Sequence, residues 1–462
     1  MSICACPLHS PDPDFKKNKG SQTWMEPPPA WGGGYPVDNT RIRTFYGTIH
    51  HRIIRKTTEC KDTPMNPRIR LWVIAFTLFC ATASASLLQE NPVIIGIDAD
   101  ISTAAAQAGE AIYRGAALAV SEINARGGFL GRPAVLEIRD HRGNPARGVA
   151  NMEAFAAMPD LLAVIGGTYT PVVMEQLPII HRHGIPFLLP WAAGTRLVEN
   201  GYSPNYVFRV SVRDEDAGAF LIKKLFEAGY RRPGLLLEQT EWGRSNEKSI
   251  MAALRSYGLT PAEIQWFYWG VPDLRPHMEK LANARADVIL LVSQSNEGLT
   301  AIKALQSFHP RQRLPLISHW GITKGEFPSK AGTTLMDVEL FFLQTFSFIA
   351  PPFPDRAHHL FDLYRQKFPE IKTPEDIPVP AGTAHAYDLV HLLAKAVAKV
   401  GALERSAVRD ALENLDHHGG VIRNYRPPFT RERHDALGKE DFHIACFSEK
   451  GVIRPCFIRP KD

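Results

Sequence analysis

The chain has 462 residues, 45% hydrophobic and 22% charged, which excludes collagen, coiled coil and global disorder and allows two domains with cores of their own. Its formal charge of +5 resides in the leader: residues 1–85 hold 11 Lys/Arg and 6 Asp/Glu, while the rest hold 42 of each sign. A neutral body has no electrostatic footprint for a phosphate backbone, so no nucleic-acid partner is expected.

Residues 1–64 are rich in Pro, Gly and scattered charge and show no periodicity. They are either a disordered extension or the product of a start placed upstream of the true one at Met65. Residues 65–85 carry the three parts of a secretory signal. Arg68 and Arg70 precede the apolar run Leu71 to Ala81, and Ala83-Ser84-Ala85 supplies a small-x-small site, with cleavage near Ala85. The run is shorter than the roughly 18–20 apolar residues of a membrane anchor. Cys80 follows the bulky Phe79, which departs from a lipoprotein pattern.

From Val93 onward, short apolar runs alternate with amphipathic helical patterns. The run 93–97 leads to a helix carrying Ile112, Ala116, Val120 and Ile123, stopped at Gly127-Gly128. Strands at 134–138, 161–167 and 185–190 are separated by helices over 149–158 and 171–183. The pattern restarts with helices over 216–229 and 243–258 and strands at 234–238, 287–292 and 314–318. Apolar strands alternating with helices predict an α/β protein with two doubly wound parallel-sheet lobes and a ligand cleft at the strand ends between them.

No phosphate loop, nucleophile elbow, H-E-x-x-H or dinucleotide fingerprint is present, so no enzyme, catalytic residue, cofactor or metal is expected. His181 and His183 fall on different helix faces, and His358-His359 and His417-His418 read as surface pairs. One local arrangement has a mechanism. After the strand 161–167 come Thr168, Tyr169, Thr170 and Pro171; with Pro171 at the first helical position, Thr170 is the expected N-cap. Its hydroxyl, that of Thr168 and the helix N-terminus form either a carboxylate-binding corner or an ordinary cap. Cys446 and Cys456 flank a turn-like 448–451 and are either a disulfide, which an oxidising compartment permits, or two unlinked thiols.

Segments 109–140 (GEAIYRGAALAVSEINARGGFLGRPAVLEIRD) and 163–195 (AVIGGTYTPVVMEQLPIIHRHGIPFLLPWAAGT) resemble the branched-chain amino-acid-binding family of type I periplasmic solute-binding proteins. The resemblance runs from about Val93 to Pro455. It implies a Venus-flytrap fold with three crossovers: lobe 1 at 92–210 plus 338–420, and lobe 2 at 211–337 plus 421–458. It implies a monomeric periplasmic receptor that clamps an amino acid or related small carboxylate and delivers it to the permease of an ABC transporter. A sensor component of a periplasmic regulatory complex, with an aromatic acid or amide as ligand, is the alternative. Carried over by position, the carboxylate corner falls on Thr168, Tyr169 and Thr170, and a strand-end contact on Trp191, Ala192 and Ala193. Trp242 is the closing aromatic, Gln294 and Ser295 form a second strand end, and Gln107 sits at the mouth. The departure is after 314–318, where family members place an acid for the ligand ammonium. Here the sequence reads Ser318-His319-Trp320-Gly321, and Glu326, Asp98 or Asp100 would have to substitute, or the ligand has no ammonium. Trp320 then joins an aromatic lining with Trp191, Trp242 and Tyr169.

Overall fold

The computed structural model describes residues 91–461; the extension 1–64 and the secretory segment 65–85 lie outside the described residues. The first lobe opens with β1 (Val93–Ala99), α1 (Ala106–Ala125), β2 (Ala134–Asp140), α2 (Pro145–Ala156), β3 (Leu161–Gly166), α3 (Thr170–Arg182), β4 (Phe187–Leu189) and β5 (Val207–Arg209). Its strands form a parallel sheet in the order β2-β1-β3-β4-β5. β3 is buried along its whole length, as a strand covered by helices on both faces must be.

Local chemistry sets the boundaries. The Asn144 side chain accepts from the Arg147 N–H and Pro145 takes the first helical position, so α2 starts four residues before the expected Val149. α1 stops where Gly127 and Gly128 take φ of 100° and 75°. A Cβ on Gly128 would lie 2.1 Å from the Arg132 carbonyl, so both the angle and the space require glycine.

The second lobe holds α4 (Asp214–Glu227), β6 (Pro233–Glu238), α5 (Glu241–Ser256), β7 (Ile264–Phe267), α6 (Arg275–Asn283), β8 (Val288–Val292), α7 (Ser295–Gln306), β9 (Leu316–Ser318), α8 (Phe327–Ala331) and β10 (Leu340–Gln344). The chain then returns to the first lobe as α9 (Pro354–Lys367), α10 (Pro380–Val400), α11 (Arg405–Glu413) and a short hairpin of β11 (His418–Gly419) and β12 (Asn424–Tyr425). β13 (His443–Phe447) and β14 (Ile453–Pro455) close the second sheet, ordered β14-β13-β10-β9-β8-β6-β7, with the last two strands antiparallel.

Two boundaries differ from those expected. The resemblance implies that lobe 1 resumes at 338, but β10 pairs with β9 and β13, so it stays in lobe 2 and the crossing follows Gln344. The resemblance implies a last crossing at 421–425, yet those residues are tied to α10. Asp388 accepts from the N–H groups of Val421 (2.9 Å) and Ile422 (3.3 Å) and from the Tyr425 hydroxyl (2.7 Å). Residues 434–436 then line the open edge of β5, through Arg209 N–H to His434 O and Ala436 N–H to Arg209 O. The final crossing therefore lies between Ala436 and β13. α10 packs along α1, where a Cβ on Gly115 would come within 2.1 Å of the Thr383 carbonyl.

One core is continuous through both lobes and across the cleft, taking in Tyr169, Trp191, Trp242 and Trp320; a smaller core lies within each lobe. The lobes are thus closed on each other. Among the described residues no helix is long and apolar enough to cross a membrane, and no cluster of three or more His, Cys, Asp or Glu could hold a metal ion.

Candidate functional site

The carboxyl ends of β3 and β4 in one lobe face those of β6, β8 and β9 in the other, and the loops leaving them meet in the cleft. The Trp191 and Trp320 rings stack at 4.5 Å with an interplanar angle of 16°, one from each lobe. Such a pair adds about 0.5–1.5 kcal/mol beyond its area. His385 packs beside Trp320 at 5.6 Å; its Nδ1 is 2.7 Å from the Pro190 carbonyl, and burial lowers its pKa to about 4. Trp269, on the loop after β7, meets the Tyr169 ring at 5.5 Å and is 40% exposed, so it forms the outer edge of the aromatic cluster.

At the centre stands Lys324, in the short 3-10 turn after β9. Its ammonium crosses the cleft and donates to the Thr168 carbonyl. It lies 4.1 Å from the centre of the Tyr169 ring and 5.8 Å from that of Trp242, a cation–π setting. The side chain is buried, which costs several kcal/mol unless the charge is compensated. Burial pushes the Lys324 pKa down, while Glu238, Asp100 and Glu297 support its charge. Glu238, at the end of β6, is itself fully buried and pushed up by that burial; it accepts from the Thr240 hydroxyl (2.6 Å) and the Gln294 amide (2.8 Å). Glu297 accepts from the Gly270 N–H at 2.9 Å.

The turn bearing Lys324 is fixed from both sides. Ser295 Oγ donates to the Ile322 carbonyl (3.1 Å) and accepts from Gly325 N–H (3.1 Å). A Cβ on Gly325 would sit 2.4 Å from the Ala104 carbonyl of the opposite lobe, so glycine is what lets the lobes approach here. Asp214, in the first turn of α4, accepts from Trp242 Nε1 (3.1 Å), and His319 Nε2 lies 3.2 Å from the same oxygen. His319 Nδ1 accepts from the Trp320 N–H at 2.8 Å, so its proton belongs on Nε2, facing Asp214.

The residues named from sequence separate into four groups. Tyr169, Trp191, Trp242 and Trp320 converge around Lys324, and Gln294 reaches that centre through Glu238. Gln107 and Ser295 line a groove at one mouth of the cleft, with Gly325 and Glu326. Thr170 instead lines a cavity of about 500 Å³ at the other mouth, with Thr195, Arg196, Arg244, Ser245 and Lys248. Ala192 and Ala193 contribute backbone: Ala192 N–H donates to Gly167 O (2.7 Å), and Ala193 O accepts from Asp214 N–H (2.9 Å).

The carboxylate corner is altered. α3 begins at Thr170 with Tyr169 as N-cap, and the Thr170 hydroxyl accepts from Gly194 N–H (3.3 Å) instead of capping the helix. Thr168 Oγ1 accepts from Asp100 N–H (3.3 Å) and lies 3.1 Å from His141 Nε2. His141 Nδ1 accepts from Gly143 N–H, and burial lowers its pKa to about 4, so the neutral ring donates to Thr168. None of the three candidate acids is free to hold an ammonium. Asp100 accepts from Thr103 and Ala105 N–H groups and from the Tyr169 hydroxyl; Asp98 is held by Asn151 and Gln176; Glu326 is exposed and pairs with Lys330. Lys324, Glu238, Glu297, Asp214 and Trp269 were not found from sequence. Lys324 stands four residues beyond Trp320, in the segment where an acid was sought. Cys446, in β13, and Cys456, just past β14, are unlinked in the structure and their side chains lie next to each other.

Relatives place this geometry in a family. The model of the periplasmic binding protein family matches residues 92–445. The Leu/Ile/Val-binding protein BraC3 of Rhizobium johnstonii is 24% identical over 349 residues, covering 74% of this chain and 89% of the relative. Among solved structures, a type 1 periplasmic binding protein from Bordetella pertussis Tohama I superposes with a TM-score of 0.72 at 20% identity, covering 80% of this chain and all of that one. The branched-chain amino acid transporter substrate-binding protein LivJ of Streptococcus pneumoniae, solved with isoleucine, gives 0.66 at 20% identity over the same shares. Two parallel-sheet lobes closed over a cleft of strand ends, together with a family match across both, lead to one statement: the chain belongs to the periplasmic binding protein family.

Proposed function

We propose that the protein is the periplasmic substrate-binding component of an ABC transporter, which closes its lobes over a small carboxylate and presents it to a membrane permease. The observation that carries this reading is the cleft itself. Tyr169 and Trp191 from one lobe meet Trp242, Trp320 and Lys324 from the other, all buried where the strand ends face each other. Such a centre forms only when the lobes are together, so a ligand that completes it stabilises the closed state. Lys324 Nζ offers a charge-assisted donor, and the Trp191 Nε1 hydrogen is buried without a partner among the described residues; both suit a carboxylate. Relatives named as Leu/Ile/Val-binding proteins support a small organic acid as cargo.

A thermal-shift screen of the purified chain against amino acids, hydroxy and oxo acids, aromatic acids and amides tests the reading. A binder at 100 times its Kd adds about 2.7 kcal/mol of stability and raises the melting temperature. Small-angle scattering with and without that binder then reports whether the lobes draw together. Steady turnover of a compound, or no stabilisation by any member of the panel, would overturn the proposal.

A further inference from the structure

We infer that the cleft selects acids whose second polar group is uncharged, because Lys324 already supplies from the protein the ammonium that an amino-acid ligand would bring. The inference rests on the reading of this cleft as the solute site and specifies its substrate class.

Three features carry it. The centre of the cleft is built for one cation: the Tyr169 and Trp242 ring faces lie 4.1 and 5.8 Å from Lys324 Nζ, and the carboxylates whose charge supports it are those of Glu238, Asp100 and Glu297. That place is held by a tethered side chain, whose ammonium also closes on the Thr168 carbonyl of the opposite lobe. The acceptors that a second ammonium would need are committed elsewhere: Asp100 to the loop before α1 and to Tyr169, Glu238 to Thr240 and Gln294, Glu297 to Gly270. A ligand ammonium would thus enter beside a like charge in a water-poor site, an arrangement that discriminates against it.

The unused groups point the same way. Trp191 Nε1, a donor, is buried and unpartnered among the described residues, as are Ser293 Oγ and the Gln294 Oε1 acceptor. The Trp191 and Lys324 donors each suit a carboxylate oxygen, and the Gln294 and Ser293 oxygens suit a hydroxyl or amide hydrogen that adds no charge. A site whose buried polar groups are matched by one analogue rejects the other strongly, since its own groups are left unpaired. The aromatic walls leave the body of such an acid apolar or flat.

Calorimetric titration of the full chain at neutral pH with matched pairs tests this: leucine against 2-hydroxy-4-methylpentanoate, and phenylalanine against 3-phenyllactate. The native protein is expected to bind the hydroxy acids at least tenfold more tightly than the amino acids. Lys324→Met removes the internal cation while Glu238 and Glu297 stay, so the order should reverse; Lys324→Arg keeps the charge and should keep the native order. Native protein preferring the amino acids, or Lys324→Met leaving the order unchanged, overturns the inference. If Lys324→Met does not fold, the native order together with that of Lys324→Arg decides. Binding of some other solute with both pairs silent sinks the inference alone, whereas no binding of any solute removes the reading of the cleft as well.

Discussion

Asp435 gives the sharpest test of how the hinge holds the site. It is nearly buried and pairs with Arg209, which is fully buried at the end of β5. The same guanidinium donates through Nη1 to the carbonyls of Ala192 (3.3 Å) and Gly194 (2.9 Å), so one ion pair fixes the loop after β4 and the segment 434–436 together. Asp435→Ala leaves the guanidinium buried without a counter-charge, and breaking such a pair costs about 3–5 kcal/mol. For a lobe of this size, where 1 kcal/mol moves the melting temperature by about 2–4 °C, the expected drop is roughly 10 °C. Scanning calorimetry on the ligand-free chain measures it. The double variant Arg209→Met/Asp435→Leu should recover much of the loss, because an apolar pair of similar volume has no charge to desolvate. A fall below about 2 °C for Asp435→Ala, or a double variant no better than the single one, would show that the pair does not anchor the hinge.

Gly325→Ala should impede closure, since its methyl would stand 2.4 Å from the Ala104 carbonyl across the cleft; small-angle scattering should then show a larger radius with ligand than the native protein gives. Trp242→Ala should remove ligand-induced stabilisation, because its ring faces Lys324 and its indole N–H holds Asp214; Thr170→Ala should reduce it less, its hydroxyl being engaged by Gly194. A thermal-shift titration that ranks them the other way would move the site to the Thr170 cavity. Asp98 supplies a pH test. Burial raises its pKa to about 7 against hydrogen bonds from Asn151 and Gln176, so the folded state resists its ionisation. The contribution of Asp98 to stability is then greatest below the ordinary carboxylate range and is lost as pH rises from about 4 to 7, by at most about 4 kcal/mol. Asp98→Asn should flatten that fall in chemical denaturation across the window; an unchanged slope would mean that Asp98 does not titrate there.

The alternation of buried apolar runs with 3.6-period patterns determined, without further help, that the chain is an α/β protein with two largely parallel sheets. Burial on both strand faces leaves few other arrangements for runs such as 161–166 and 288–292. The resemblance to the family, carried over by position, brought Tyr169, Trp191, Trp242 and Trp320 to the cleft, and the pattern sets them just beyond strands, where sites in open sheets form. Local rules failed where distant segments compete for the same backbone. The resemblance implies a crossover around strand 340–344, but hydrogen bonds to β9 and β13 make it part of the second sheet. The resemblance implies a hinge at 421–425, yet Asp388 binds these residues to lobe 1 from 33 and more residues away. The Thr170 cap was offered a competing donor by Gly194, which no pattern near Thr170 reveals. The cleft's charge was hidden most completely. A lysine in a short turn is ordinarily a surface residue, and only the closing of one lobe on the other buries Lys324 against Tyr169 and the Thr168 carbonyl and makes its charge part of the site.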